Sequence, residues 1–299
     1  LNMIKIVFLG TSDAIPSEKR NHTSIFLNYN DENILIDCGE GTQRQMKIAG
    51  IKPTKLNKVL ITHWHGDHVL GLAGLIQYLR ANEYNKTLEI YGPKGTKKFF
   101  SNILKSCIFT HEFKIKVNEV KSGVIFRDDE ILINAFSLNH TTQCLGYSIK
   151  ENDKRKINLD YLKKFGLKEH PLLGRLQRGQ DIVWKGIKIR AKDATIIKNG
   201  KKIAFISDTA MNNNCVKLGK DADLLICEAT FSSEHEKEAK ESKHLISKQA
   251  ALIAKKANAK RLILTHFSQR YKDVNFLREE AKKIFSNVEC AEDFMEVEI

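Results

Sequence analysis

Short apolar runs alternate with longer amphipathic stretches along most of the chain. Runs such as IKIVFLG, NILIDCG, KVLITH and LEIYG in the first half, and KIAFISDT, DLLICEAT and RLILTHFS in the second, predict strands. The stretches Val69–Ala81, Thr96–Lys105 and Lys243–Ala257 predict helices. Strands interleaved with helices are typical of layered α/β proteins with a sheet core, and we expect that fold class.

Side chains that can bind metal ions follow five of the predicted strands. They are histidines, aspartates and a glutamate, which are residue types that bind metal ions in proteins. Because loops at one end of a sheet converge in space, we expect these side chains to form one site. In chain order they are His63, His65, Asp67, His68, His140, Asp208, Glu228 and His266.

The HxHxDH group that begins at His63 has the spacing of a two-metal site. His63 and His65 are two positions apart, so an extended loop can point both at one ion. Asp67 and His68 follow on the turn into the next helix and can bind a second ion, and a carboxylate such as Asp208 can bridge the two. Two ions about 3.5–4 Å apart that share a hydroxide are suited to in-line hydrolysis of a phosphodiester.

Charge and length restrict the partners and the domain count. The chain has 299 residues, with 49 Lys and Arg against 36 Asp and Glu and a formal net charge of +13. This length allows one large domain or two modest ones. The basic excess favours a polyanionic partner such as nucleic acid or an anionic membrane surface, although a lysine-rich solvated surface explains it equally well.

The cysteines and the apolar stretches indicate where the protein works. The six cysteines lie far apart with no CxxC pair, which disfavours a disulfide framework and a zinc knuckle, and Cys227 lies in an apolar run that predicts a buried thiol. No signal peptide is visible, and the longest apolar stretch, HVLGLAGLIQYL, is shorter than the roughly 20 residues of a membrane span. We therefore expect a soluble, cytoplasmic protein with no membrane partner.

Seven sequence blocks spread over most of the chain carry a specific resemblance. They are PSEKRNHTS, LIDCGEGTQRQM, ITHWHGDHVLGLAGL, SLNHTTQCLGY, ISDT, CEATF and LTHFSQRY. Together they resemble ribonuclease Z, the endoribonuclease family of the metallo-β-lactamase superfamily that removes the 3′ trailer from precursor tRNA. The resemblance implies a single domain over residues 1–299 with a four-layered αβ/βα sandwich fold. It also implies cleavage after the discriminator nucleotide, leaving a 3′-hydroxyl on the tRNA and a 5′-phosphate on the trailer.

The resemblance also implies a ligand set. It predicts two zinc ions per subunit, or manganese ions in their place, because His/Asp sites accept several metals. The first ion would be held by His63, His65 and His140, the second by Asp67, His68 and His266, with Asp208 bridging both.

Glu228 and His244 match the carboxylate and the histidine that the family carries near its metals. A carboxylate beside an imidazole orients it and keeps it protonated, so that it can donate a proton to the leaving 3′-oxygen. Taken singly, Glu228 is more typical of a helix-start or loop carboxylate, and His244 is more typical of a polar residue that opens a helix. Asp67 is an alternative catalytic residue, because it could assist the attacking water.

Several further residues are candidates for contacts with the substrate or with the metal loop, the segment that carries His63 to His68. Lys19 and Arg20 could contact phosphate, and Ser268 and Arg270 could bind the tRNA end, but a solvated loop explains Lys19 and Arg20 nearly as well. Asp37 ends an apolar strand before a turn, and we predict that it accepts hydrogen bonds from backbone N–H groups near the metal loop.

Residues 150–178 form a basic insert between the two halves, with nine Lys and Arg against four Asp and Glu. Asn158 and Gly166 predict the two ends of a short helix with a narrow apolar stripe, from which Lys163 and Lys164 face outward. The insert lies where ribonuclease Z carries a flexible arm that grips tRNA, and a basic arm suits recognition of RNA shape and backbone. An ordinary charged surface insertion is the alternative.

One detail of the insert departs from the family pattern. The family arm commonly contains a Gly-Pro step, whereas this chain has His170–Pro171.

Two rival functions compete with the tRNA endonuclease. The first rival is a small-molecule phosphodiesterase or another hydrolase of the same fold, which needs neither a basic arm nor the Glu228–His244 pair. The second is a non-catalytic RNA-binding protein with a structural metal, which the open two-ion ligand set disfavours. Family resemblance also predicts a homodimer.

Overall fold

The computed structural model describes residues 3–108 and 112–299. Their backbone forms two compact units, which are described separately. The larger unit comprises the described part of Leu1–Phe126 together with Ile133–Ile149 and Lys202–Ile299, and the smaller comprises Arg127–Leu132 and Lys150–Lys201.

All regular elements are short. In chain order the strands are β1 Lys5–Gly10, β2 Ser24–Tyr29, β3 Glu32–Ile36, β4 Lys58–Leu60, β5 Leu88–Gly92, β6 Ile115–Glu119, β7 Gly123–Arg127, β8 Ile131–Asn139, β9 Gln143–Glu151, β10 Lys154–Ile157, β11 Ile182–Trp184, β12 Ile187–Ile189, β13 Thr195–Lys198, β14 Lys202–Ile206, β15 Leu224–Glu228, β16 Leu262–Thr265, β17 Val288–Cys290 and β18 Glu296–Glu298. The α-helices are α1 Thr42–Ile48, α2 Gly66–Val69, α3 Leu72–Ala81, α4 Thr96–Lys105, α5 Leu159–Lys163, α6 Leu172–Gln177, α7 Ala191–Ala194, α8 Asn213–Gly219, α9 Glu236–Ser242, α10 Ser247–Lys256 and α11 Asn275–Lys282, and 3₁₀ turns lie at Pro53–Lys55 and Ser233–His235.

Two seven-stranded sheets form the centre of the larger unit. Their strand orders are β18-β1-β2-β3-β4-β5-β6 and β17-β16-β15-β14-β9-β8-β7. Strands β4, β15 and β16 are buried on both faces, which explains why their sequences are apolar except at the strand ends. Apolar side chains of the first sheet pack against α1, α3 and α4, and those of the second pack against α8, α10 and α11. The predicted α/β class is confirmed.

Parallel pairing determines where the functional loops emerge. Strands β3 to β6 pair in parallel, as do β14 to β17. The carboxyl ends of parallel strands lie at one edge of a sheet, so the loops after them share that edge. The two sheets also meet there, because Leu145 N–H donates to the carbonyl of Thr62 at 2.9 Å and the Tyr147 hydroxyl donates to the carbonyl of Ile61 at 2.6 Å.

Two predicted helices differ from the structure, while α4 has the predicted bounds. The stretch Val69–Ala81 is divided between α2 and α3. The break falls at Gly71, whose N–H donates to the carbonyl of Cys38, and a Cβ there would lie 2.0 Å from the carbonyl oxygen of Gly39. This close backbone approach ties the break to the chain that follows β3. The apolar spacing does not reveal it.

The helix predicted from Lys243 begins four residues later, at Ser247. Lys243 has a φ of 57°, and Ile246 has extended backbone angles, so neither residue is helical. The side chain of Gln249 accepts a hydrogen bond from Ile246 N–H at 3.1 Å, which satisfies a free donor at the helix start. The four residues before α10 are therefore a loop that carries His244.

The smaller unit has a hydrophobic core of its own. The buried side chains of Leu162, Leu176, Ile182 and Ile189 pack in one cluster, although their elements are separate in the chain. The predicted insert of residues 150–178 is therefore part of a larger packed cluster, because Ile182 and Ile189 beyond it complete the core. Residues 150–201 contain 15 Lys and Arg against six Asp and Glu.

Local predictions for this unit and for Cys227 are confirmed. The side chain of Asn158 accepts from the Tyr161 N–H at 3.1 Å and caps α5, and Gly166 adopts a left-handed φ of 63° past its end. Cys227 is fully buried on β15.

Among the described residues, none of the helices has both the length and the apolar composition to cross a lipid bilayer.

We expect Leu176→Ala to destabilise the smaller unit by about 2–5 kcal/mol, because the substitution leaves a cavity in a small core. Hydrogen exchange of the backbone amides of residues 150–201 should speed up, while exchange in β14 to β16 should not change. Val183→Ala is the control, since that side chain is 64% exposed. Equal effects of the two variants would contradict the assignment of the cluster as the stabilising core.

Candidate metal centre and catalytic site

Three histidines from two loops form the first ligand group. His63 and His65 lie in the extended loop after β4, and His140 follows β8 directly. His65 Nδ1 lies 3.0 Å from His63 Nε2 and 3.2 Å from His140 Nε2. His65 is exposed, whereas the other two rings are buried. Together with Asp208, whose Oδ2 is 3.6 Å from His63 Nε2, these residues could hold one metal ion.

The second group consists of buried side chains from three loops. Asp67 and His68 lie on α2, Asp208 follows β14, and His266 follows β16 with a left-handed φ of 61°. His266 Nε2 lies 3.4 Å from Asp67 Oδ2 and 3.3 Å from Asp208 Oδ1. Asp208 therefore belongs to both groups, as a bridging ligand must. The structure brings all seven predicted ligands together, while the ion that each would bind stays a prediction.

The environment of His68 shows that the second group fits a cation. His68 Nδ1 donates to Asp37 Oδ2 at 2.7 Å, and its buried Nε2 has no hydrogen-bond partner among the described residues. That nitrogen lies 3.2 Å from Asp67 Oδ2 and 3.4 Å from Asp208 Oδ2. A nitrogen lone pair that faces two carboxylate oxygens is repelled unless a proton or a metal ion lies between them. Nitrogen and oxygen donors in this arrangement suit a divalent transition metal.

Electrostatics favour the metal-binding forms of His63, His140 and Asp208. Burial lowers the pKa of His63 well below its usual range and lowers the pKa of His140, so both rings are neutral. Burial opposes ionisation of Asp208, but the imidazoles of His266 and His68 outweigh it and hold the pKa of Asp208 well below its usual range. Burial also opposes a charged His68, but Asp208 and its neighbouring carboxylates raise its pKa well above the usual range. A metal ion would replace that proton.

Asp37 supports the metal loop in two ways. It follows β3 with a φ of 57° and accepts hydrogen bonds from the N–H and the hydroxyl of Thr62, both at 2.8 Å. The backbone contact confirms the role predicted for this carboxylate. Its bond to His68 Nδ1 was not predicted, and it fixes that ring with Nε2 toward Asp67 and Asp208.

Glu228 and His244 lie side by side next to the ligand groups. Glu228, the last residue of β15, is fully buried and accepts from Thr209 N–H at 2.8 Å and from the Thr230 hydroxyl at 2.7 Å. His244 Nδ1 lies 3.2 Å from Glu228 Oε1, and His244 Nε2 lies 3.9 Å from Asp208 Oδ2. Burial opposes the charged ring, but Glu228 and Asp208 raise the pKa of His244 to about 9. The pair has the arrangement of an oriented proton donor.

Backbone and hydroxyl partners of the histidines were missed from the sequence. His140 Nδ1 donates to the carbonyl of Lys243 at 3.1 Å, and Lys243 Nζ donates back to the His140 carbonyl at 3.1 Å. Because any residue can offer a carbonyl, no side-chain pattern marks Lys243. Thr62 and Thr230 had a sequence signal, since each stands within two positions of a predicted functional residue.

The candidate substrate contacts of the larger unit differ in their exposure to solvent and in their contacts. Lys19 is exposed, whereas Arg20 donates from Nη1 to the carbonyl of Tyr271 at 3.1 Å. Ser268 is buried, and Arg270 is exposed and forms a 2.7 Å ion pair with Glu238. Arg20 therefore has a structural contact, while the exposed pair of Arg270 could exchange for phosphate at little cost.

In the smaller unit, Lys163 and Lys164 are exposed on and just after α5. Lys163 forms a 2.7 Å ion pair with Asp160, and Lys164 lies over the ring of Tyr161. Both ammonium groups keep access to solvent. Contacts of these candidates with RNA stay predictions.

Comparisons with known proteins agree with the fold. A family model described as "Anti-Pycsar protein Apyc1" matches residues 4–170, and one described as "Beta-lactamase superfamily domain" matches residues 178–267. A protein of Methanothermobacter thermautotrophicus named ribonuclease Z is 39% identical over 99% of this chain and 97% of its own length. A protein of Archaeoglobus fulgidus with the same name is 40% identical over 99% and 98%.

A solved structure extends the likeness to three dimensions. The crystal structure of the short form of human tRNase Z is 30% identical, with a TM-score of 0.73 and 98% of each chain covered. Together with the two large sheets and their helices, this likeness confirms the metallo-β-lactamase fold.

We expect Asp37→Asn to lower the affinity for zinc by about 10–100-fold, the usual effect of removing a group that orients a ligand. Asparagine tolerates the left-handed φ at this position, so the change should remove the charge without straining the backbone. Competition between the metal-free protein and a chelator of known affinity measures the effect. Asp31→Asn, in the exposed turn before β3, is the control. Equal zinc affinity for Asp37→Asn and wild type would show that Asp37 does not support the site.

Proposed function

The chain belongs to the ribonuclease Z family, and we propose that it removes the 3′ trailer from precursor tRNA by metal-dependent endonucleolytic hydrolysis. One observation carries the proposal: two ligand groups that share Asp208 lie beside the Glu228–His244 pair. The names of the relatives, and of the human enzyme of similar structure, support tRNA as the substrate. The products would be a tRNA with a 3′-hydroxyl and a trailer with a 5′-phosphate.

We propose two zinc ions per subunit, with manganese as a substitute. When bound, they would supply an activated water and offset the negative charge that develops on the phosphate. Asp67 Oδ2 lies 3.2 Å from His68 Nε2 and 3.4 Å from His266 Nε2, which favours a ligand role for Asp67 over a role as a general base. The proposed ligands are His63, His65 and His140 for one ion, Asp67, His68 and His266 for the other, and Asp208 for both.

His244 is the proposed proton donor to the leaving oxygen. The P–O3′ bond breaks, hydroxide from a water that has released one proton to solvent joins the phosphate of the trailer, and a proton moves from His244 to the 3′-oxygen of the tRNA. Glu228 accepts from His244 Nδ1, so Nε2 is the nitrogen that faces the metal groups. The position of this ring supports the role, because Nε2 is 3.9 Å from the shared carboxylate of Asp208.

The smaller unit is the proposed tRNA-gripping element. Its excess of Lys and Arg over residues 150–201 suits phosphates, and folded RNA offers shape and backbone rather than readable base edges. A small phosphodiester needs no such surface, which disfavours the rival hydrolase function. On the family resemblance we also propose a homodimer. Six free cysteines are consistent with the cytoplasmic location that we propose.

The decisive experiment is a cleavage assay on a precursor tRNA with a 3′ trailer, with added zinc or manganese and with chelator. We expect metal-dependent cutting after the discriminator nucleotide, with a 3′-hydroxyl on the tRNA product. Cleavage of a simple phosphodiester, without cleavage of the tRNA by the same metal-loaded protein, would favour the rival function.

His65→Ala should abolish cleavage while tRNA binding survives. His65 Nδ1 lies within 3.2 Å of two other proposed ligands, so its loss should empty or weaken one metal position. Metal content measured by mass spectrometry should fall by about one ion per subunit. A parallel loss of tRNA binding would show that the metals hold the fold or the substrate instead.

Lys163→Gln with Lys164→Gln should raise KM for precursor tRNA and leave hydrolysis of bis(p-nitrophenyl) phosphate unchanged. The slope of log affinity against log salt should become less steep by about 0.7–0.9 for each phosphate that the variant no longer neutralises. Lys255→Gln with Lys256→Gln is the matched control, because this exposed pair lies at the far end of α10 from His244. Equal losses on both substrates would refute a tRNA-specific role for these lysines.

A further inference from the structure

One buried hydroxyl links the candidate metal centre to the candidate proton donor. Thr230 is 2% exposed and lies two residues after Glu228, in the loop that follows β15. Its Oγ1 lies 2.7 Å from Glu228 Oε2, 3.0 Å from His266 Nδ1 and 3.2 Å from His244 Nδ1. Three groups with different proposed roles therefore meet at one oxygen atom.

The number of donors and acceptors on a hydroxyl group determines how these contacts are made. Thr230 has one O–H proton and two lone pairs. The shortest contact is to the carboxylate of Glu228, which can only accept, so the hydroxyl donates there. The remaining lone pairs then accept from His266 Nδ1, which must carry a proton. His266 Nε2 is left with its lone pair toward Asp67 and Asp208.

We propose that Thr230 is a positioning residue that couples the metal ligand His266 to the Glu228–His244 pair. Its hydroxyl oxygen accepts from His266 Nδ1 and so orients that ring for the metal, and its proton is donated to the Glu228 carboxylate that orients His244. The catalytic half of this inference rests on the proposed function. The metal-binding half stands on the geometry of His266 alone.

A second threonine shows the same device without the coupling. The Thr62 hydroxyl donates to Asp37 Oδ2 at 2.8 Å and lies 3.1 Å from His63 Nδ1 and 3.4 Å from His68 Nδ1. Both of these rings are proposed metal ligands, so Thr62 supports metal binding alone. Thr230 differs because one of its two imidazole neighbours is the proposed proton donor.

Thr230→Val tests the coupling, because it keeps the shape of the side chain and removes the hydroxyl. We expect kcat on precursor tRNA to fall about 10–100-fold with KM within about twofold, and zinc affinity of one of the two ions to fall about tenfold. Chelator competition on the metal-free protein measures the affinity without reference to activity. Thr230→Ser, which keeps the hydroxyl, should recover both quantities to within about threefold of wild type.

Thr265→Val is the matched control. Thr265 directly precedes His266, and its buried Oγ1 has no hydrogen-bond partner among the described residues, so this variant should behave as wild type. Should Thr230→Val fail to fold, Thr230→Ala and Thr230→Ser make the same comparison, since they differ by one hydroxyl.

Two results would overturn the inference. In the first, the variant without the hydroxyl has wild-type zinc affinity or wild-type kcat, which removes one side of the coupling. In the second, Thr230→Ser fails to recover activity and zinc affinity, which shows that packing of the methyl group is what matters. A wild-type protein that cuts no precursor tRNA refutes the proposed function instead, and the zinc affinities then decide the role of Thr230.

Discussion

The buried carboxylate of Asp208 is the constraint on which the site depends. Its side chain is almost fully buried, and an uncompensated charge in a buried position is very unfavourable. Imidazole nitrogens of His63, His68 and His266 surround it at 3.3–3.6 Å, and either protons or metal ions between them must balance the charge. The loops at this edge of the two sheets serve to hold those rings around one carboxylate. Metal binding and burial of Asp208 are therefore parts of one electrostatic balance.

The fold holds the rings by fixing their second nitrogens. Asp37 accepts from His68, the Lys243 carbonyl accepts from His140, and the hydroxyls of Thr62 and Thr230 contact the remaining buried rings. Asp37, Lys243 and His266 adopt left-handed φ values of 57–61°, a conformation that costs non-glycine residues energy and clusters at functional sites. Three such residues persist here because each also takes part in the hydrogen bonds of the centre. Backbone strain and ligand orientation thus have a common cause.

The sequence reveals the residues of this site better than the contacts between them. Histidines and carboxylates after apolar strands are visible in the sequence, because a metal ligand must have a particular side chain and a buried strand must be largely apolar. The Lys243 carbonyl is invisible because every residue has one, and the break at Gly71 depends on a distant backbone. The extent of the smaller unit was also missed, since Leu176 and Ile189 become a core only when tertiary folding brings their elements together. Predictions succeed where side-chain identity decides the outcome and fail where spatial neighbours do.

The proposed chemistry and the proposed RNA-binding element are located in different parts of the chain. A centre of histidines and carboxylates can hydrolyse many phosphodiesters, so it does not by itself select tRNA. In this chain the proposed ligands and the Glu228–His244 pair all belong to the larger unit, whereas the dense basic sequence belongs to residues 150–201, which have a core of their own. The core of residues 150–201 does not include any proposed ligand, so the proposed RNA-binding element and the proposed metal centre have separate sets of packed residues. On the proposed function, this separation would allow a common hydrolytic centre to be combined with specificity for one class of RNA.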